Sequence, residues 1–121
     1  MNFEVELYET EGGTSPVMEF QESLPPKHRA KSARDIVLLS RYGMALCEPY
    51  TKPIKGARYR GLWELRTKFA SDISRIFYFI SIHGRFVLVH GYLKKRNELD
   101  VRELEIAKRR RDDYVRRFHN E

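Results

Sequence analysis

Between residues 61 and 95 the sequence G-L-W-E-L-R-T-K-F-A-S-D-I-S-R-I-F-Y-F-I-S-I-H-G-R-F-V-L-V-H-G-Y-L-K-K sets ionisable side chains among dense apolar ones. The polar set is Glu64, Arg66, Arg75, His90, Lys94 and Lys95. Strands rarely carry so many charges unless one face is solvated or binds something. Such a set suits metal-free cleavage of RNA. That reaction needs a base to take the ribose 2′-OH proton, cations for the charge building on the phosphate, and an acid for the leaving oxygen. Arginine and lysine meet the second need, and histidine or tyrosine the others. Two readings of Arg75 stay open: a phosphate contact, or a structural ion pair with Glu64.

The elements that must position these residues follow from periodicity. Leu62–Phe69 alternates Trp63, Leu65 and Phe69 against Glu64, Arg66 and Lys68, the pattern of a half-buried strand. Ile73–Ile82 and Phe86–Leu93 are two more β-rich runs, joined by Ala70-Ser71-Asp72 and His83-Gly84-Arg85, which have hairpin length. An antiparallel meander is expected. On strict alternation Arg75 and Tyr78 face opposite ways, and His90 shares a face with Phe86, Leu88 and Tyr92. A bulge would change this. His90 is therefore either a buried, hydrogen-bonded histidine or a catalytic one.

Around the meander, Asn2–Tyr8 alternates as a first strand. Ser15-Pro16 starts a short helix to Ser23, and Pro25-Pro26 separates it from a second helix over Lys27–Tyr42, stopped by Gly43. In that second helix Ala30, Ala33 and Val37 form one apolar stripe, with Ile36 and Leu39 beside it. Cys47–Gly61 reads as a basic loop carrying Lys52, Lys55, Arg58 and Arg60, either a phosphate clamp or a solvated connection. Asn97–Phe118 reads as a last helix, with Val101, Leu104, Ala107, Tyr114 and Phe118 at helical spacing and a basic run Lys108-Arg109-Arg110-Arg111.

Composition narrows the classes. At 121 residues a single domain over 1–121 is expected, and 41% hydrophobic content is enough for a core. The net charge of +6 is unevenly spread: residues 1–26 hold six acids and no lysine or arginine, while all 23 bases and the other 11 acids lie from Lys27 onward. A compact basic body favours a polyanionic partner, nucleic acid being the commonest. Cys47 is the one cysteine, so no intrachain disulfide forms, which fits a reducing cytoplasm. The acidic, alternating start is unlike a signal peptide, and no apolar run approaches the ~18 residues of a membrane span. The four histidines show no zinc-site spacing, and no nucleotide-binding glycine loop is present, so neither metal nor cofactor is expected.

The strings G-L-W-E-L-R, D-I-S-R-I-F-Y-F, L-V-H-G-Y-L-K-K-R and E-I-A-K-R-R-R-D-D-Y resemble the RelE/ParE toxin superfamily, most closely its HigB-like, phage-derived branch. That branch typically shows an E-L-R strand, an R-I-F/Y-Y strand, an H-G-F-x-K-K strand end and an A-x-x-R-x-x-x-Y helix. The resemblance covers about residues 3–118. It implies an α+β fold of RelE type: an antiparallel β-meander with an N-terminal helix hairpin and a C-terminal helix. It implies the toxin of a type II toxin–antitoxin pair, an endoribonuclease (an mRNA interferase) that cuts mRNA on the ribosome without metal and stops translation. Its partners would be the mRNA and a cognate antitoxin, a helix-turn-helix DNA-binding protein. Arg66 matches the functional arginine of the E-L-R strand, and Lys94 and Lys95 the basic strand end. His90 and Tyr78 complete the candidate catalytic set, with Lys52, Lys55, Arg58 and Arg75 as RNA contacts. Where the family has threonine and proline after the lysine pair, this chain has Arg96-Asn97-Glu98-Leu99-Asp100. ParE-like relatives share the fold but inhibit DNA gyrase without cutting RNA, which is the alternative.

Overall fold

The computed structural model describes residues 2–94 and 100–119. Strand β1 is Val5–Leu7; helices α1 and α2 are Pro16–Ser23 and Pro26–Tyr42; β2 is Thr51–Pro53; β3, β4 and β5 are Trp63–Phe69, Asp72–Ile80 and Phe86–Lys94; α3 is Val101–Phe118. Short 3-10 turns lie at Gly43–Ala45 and Ala57–Tyr59. The five strands form one sheet in the order β1-β5-β4-β3-β2. The meander β3-β4-β5 is antiparallel as expected, β2 adds to it antiparallel, and β1 lies parallel to β5. The sheet is therefore mixed, and the fold is α+β.

The helix ends are fixed by side chains the sequence supplies. Ser15 Oγ accepts from the Met18 N–H at 3.4 Å, with Pro16 in the first turn of α1. Gly43 closes α2 at φ +54°, a conformation that favours glycine. Asp100 caps α3 by accepting from the Arg102 N–H at 3.1 Å.

The buried face of α2 is not the stripe expected. Ala30, Ala33 and Val37 face solvent, and His28, Ser32, Asp35 and Leu39 are buried. The helix offers polar groups inward because the sheet offers partners: Thr67 Oγ1 donates to Asp35 Oδ2 at 2.7 Å.

The sheet has a core on each face. On one side α1 and α2 bring Val17 and Leu39 against Leu65, Ile76, Tyr78 and Leu88. On the other, α3 brings Leu104, Ala107 and Tyr114 against Phe77, Phe79, Val87 and Val89. Helix α3 packs on β5 and β4. The same face over β2, β3 and the far end of β5 carries the charged residues.

One irregularity controls what that face presents. Phe77 pairs with His90 but Tyr78 pairs with Leu88, so Val89 is an extra residue in β5. This bulge turns His90 onto the α3 side, where it stacks on Phe77, away from Phe86 and Leu88. The shared face expected from unbroken alternation is corrected by that single inserted residue.

Candidate functional site

Arg66 of β3 and Arg75 of β4 are direct cross-strand partners, so two guanidinium groups rise side by side. Like charges opposite each other repel, and Glu64 offsets this. It sits two residues before Arg66, hence on the same face, and is 3% exposed. Its Oε2 lies 3.2 Å from Arg75 Nη1, and its Oε1 lies 4.0 Å from Arg66 Nε. Both contacts are ion pairs by distance rather than aligned hydrogen bonds. Among the described residues Glu64 Oε2, Arg66 Nε and Arg75 Nε are buried without a hydrogen-bond partner.

More cations surround this triad. Lys52 pairs with Glu64 across the β2–β3 ladder, and Lys94 ends β5. Lys52, Lys55, Glu64, Arg66, Arg75 and Lys94 line one open pocket of about 340 Å³, with Pro53 and Ile54 as its apolar wall. One carboxylate thus faces five cations. The Lys94 ammonium has its pKa lowered, chiefly by burial and then by Arg75 and Arg66, against a partial opposing effect of Glu64. Such a lysine releases its proton more readily than a free one.

The structure brings Arg66, Arg75, Lys94, Lys52 and Lys55 together. Lys95 lies outside the described residues. Arg58 turns elsewhere: its Nε and Nη2 each donate to the Glu105 carboxylate of α3 at 2.6 Å. That fork, joined by the Tyr59 hydroxyl, holds the Glu105 pKa down to about 2. Arg58 therefore ties its loop to α3 instead of lining the pocket.

Tyr78 is also corrected. It points into the α1–α2 core, 2% exposed, between Trp63 and Phe86. Burial pushes its hydroxyl pKa up to about 12. A side chain on the far side of the sheet cannot touch a substrate held by Arg75. His90 lies on the correct face but is occupied. Arg110 donates to its Nδ1 at 2.8 Å, and its Nε2 bonds Glu103, the pattern of a neutral ring. Burial lowers its pKa, Glu103 opposes that, and Arg110 adds to it.

Tyr92 joins this face although the sequence did not single it out. It pairs with Arg75 across the β4–β5 ladder, and its buried hydroxyl lies beside Arg75 with no aligned hydrogen bond among the described residues. Burial raises its pKa and the neighbouring Arg75 draws it down. Its place two residues before Lys94 was the available signal. Among the described residues no group of three or more His, Cys, Asp or Glu side chains is placed to hold a metal ion.

Residues 19–112 match the family described as phage derived protein Gp49-like (DUF891), which is most of the chain and all of the pocket. The chain belongs to the Gp49-like family. It is a RelE/ParE-like toxin family, so the protein is of the toxin type found in toxin–antitoxin systems. Such membership brings with it an antitoxin as partner. No curated protein matches the chain. Among the described residues no helix is long and apolar enough to cross a membrane.

Proposed function

We propose that this Gp49-like protein is a HigB-like toxin that cuts mRNA on the ribosome and so stops translation. The observation that carries the reading is the cross-strand pair Arg66–Arg75, held over buried Glu64 and rimmed by Lys52, Lys55 and Lys94. A phosphodiester is a small anion with two free oxygens, and an arginine fork fits two oxygens at once. When the 2′-oxygen attacks phosphorus, an extra negative charge gathers on those oxygens. Cations already in place, in a partly desolvated pocket, stabilise that charge more than the ground state. The 2′-OH proton leaves with a base, the P–O5′ bond breaks, and the departing 5′-oxygen takes a proton from an acid. Lys94, with its lowered pKa, is the proton donor in this scheme. The products are a 2′,3′-cyclic phosphate and a free 5′-OH.

The test is induced expression without an antitoxin, followed by pulse labelling and mapping of mRNA 5′ ends. We expect protein synthesis to stop and new 5′-OH ends to appear within translated codons. Continued synthesis with failing DNA supercoiling would overturn the reading in favour of gyrase inhibition.

A further inference from the structure

Arg66 borders a second hollow on the other side from the cation pocket. It measures about 300 Å³ and is lined by Pro49, Tyr50 and Ile73, with Lys31, Arg34 and Lys68 at its rim. Its make-up differs from that of the first pocket. An aromatic ring, a proline and an isoleucine give it an apolar wall, and cations stand around it. Flat apolar walls within reach of fixed cations suit a nucleobase whose phosphate is held next door.

The two hollows are mechanically joined. The Arg66 N–H donates to the Tyr50 carbonyl at 2.8 Å, the hydrogen bond that extends the β2–β3 ladder past Thr51. Tyr50 packs against the α1–α2 core, so its ring is held and not free to swing. Lys31 reaches across from α2 to the Lys68 carbonyl, fixing the rim. Asp35, behind the hollow, accepts from Thr67 and Arg34 and so fixes α2 against β3.

We infer that this hollow is a base-binding subsite: Tyr50 stacks the base of a nucleotide in single-stranded RNA whose neighbouring phosphate lies on Arg66. The inference rests on the RNA-cleaving reading above and adds to it a place for one base. It assigns Tyr50 a contact with substrate.

The experiment measures binding of short single-stranded RNA at low salt, by fluorescence anisotropy. One probe is an intact oligonucleotide, and the others carry a single abasic nucleotide at each position in turn. For the wild-type chain one abasic position should weaken binding roughly tenfold, the value of one base–aromatic stack. In Tyr50→Leu, which keeps an apolar side chain against the core, the intact probe should bind roughly tenfold more weakly, and that abasic position should no longer matter. Tyr50→Phe should behave as wild type. If Tyr50→Leu is folded and the abasic effect persists, the subsite is refuted. Arg66→Ala separates the two ideas. If it weakens every probe while Tyr50→Leu weakens none, the phosphate reading stands and the base subsite falls. If neither variant changes binding, or the wild-type chain binds no probe, the base subsite falls, while the cleavage reading stands or falls on the mapped mRNA 5′ ends.

Discussion

Arg66 and Arg75 face each other across two paired strands, and the carboxylate between them belongs to neither strand neighbour by chance of register. Glu64 is on the same face because it is two residues from Arg66, and beside Arg75 because the ladder pairs Arg75 with Arg66. A buried carboxylate serving two guanidinium groups leaves two cations uncompensated when it is removed. Glu64→Gln should therefore destabilise the fold, by about 3 kcal/mol, the scale for breaking a buried ion pair. Urea unfolding followed by circular dichroism measures this. A variant as stable as wild type would mean that solvent already screens the pair.

The Arg66 prediction is about rate, not folding. Its side chain is 32% exposed and faces the pocket, so truncation leaves no cavity in either core. Arg66→Ala should lose mRNA cleavage on programmed ribosomes by on the order of a hundredfold or more, with an unchanged circular dichroism spectrum. Arg66→Lys should recover part of it, since an ammonium supplies charge but not the two-pronged geometry. Wild-type cleavage by folded Arg66→Ala would move the catalytic assignment to Arg75 and Lys94.

Much of this site was legible in the chain because period-2 alternation is a strong signal. Glu64 and Arg66 had to share a face, and two hairpins of short, fixed turns had to bring Arg75 alongside. What could not be read was the bulge at Val89. One inserted residue moves His90 to the opposite face, and in V-L-V-H-G-Y the isolated Gly91 hints at an irregularity without fixing which residue is the extra one. Strand β2 was hidden for another reason: three residues ending in Pro53 carry too little pattern to stand out from a loop. Arg58 shows the limit of counting charges. It carries the same charge as Lys55, but a carboxylate on α3, 47 residues later, claims it. The exposed stripe on α2 failed because the true inner face mixes Leu39 with polar groups, of which Asp35 is held by Thr67 of the sheet and Ser32 by Gln21 of α1, partners that hydrophobic periodicity cannot see.

Arg58 gives a prediction of contrast. Its bidentate contact with Glu105 is at the surface, where such pairs add little. Arg58→Ala should arrest growth as strongly as wild type and melt at nearly the same temperature. A clear loss of cleavage by this variant would show that Arg58 leaves Glu105 to meet RNA.

The antitoxin should cover the same cations that meet the substrate. We expect it to lay an acidic segment across Arg66, Arg75 and Lys94, because that both neutralises the pocket and excludes RNA. Affinity should then fall steeply with added salt. Between about 0.1 M and about 1 M the screening length shrinks from about 10 Å to about 3 Å. Calorimetric titration of the purified pair across that range, with Lys94→Met alongside, is the check. A salt-insensitive affinity that Lys94→Met leaves untouched would place the antitoxin elsewhere on the molecule.

His90 makes stability depend on pH, with a definite sign. Its pKa in the folded chain is lowered, because burial disfavours the imidazolium and Arg110 adds repulsion, while Glu103 only partly offsets them. The unfolded chain, with an ordinary histidine pKa near 6.5, therefore takes up a proton at a pH where the folded one does not. Protons bound preferentially by the unfolded state pull the equilibrium toward it. Stability should be fully present above pH ~6.5 and fall as pH drops below it, until the folded-state pKa is reached. His28, lowered by its own burial, has the same sign, so the full slope belongs to both. His90→Gln keeps hydrogen-bonding capacity without a titrating group. It should flatten the dependence of melting temperature on pH between about 5 and 7 but not abolish it. Should the variant instead steepen the slope, the ring is already protonated in the fold, paired with Glu103, and the neutral form inferred from the Arg110 contact at Nδ1 is wrong; an unchanged slope would mean that folding does not shift the ring at all.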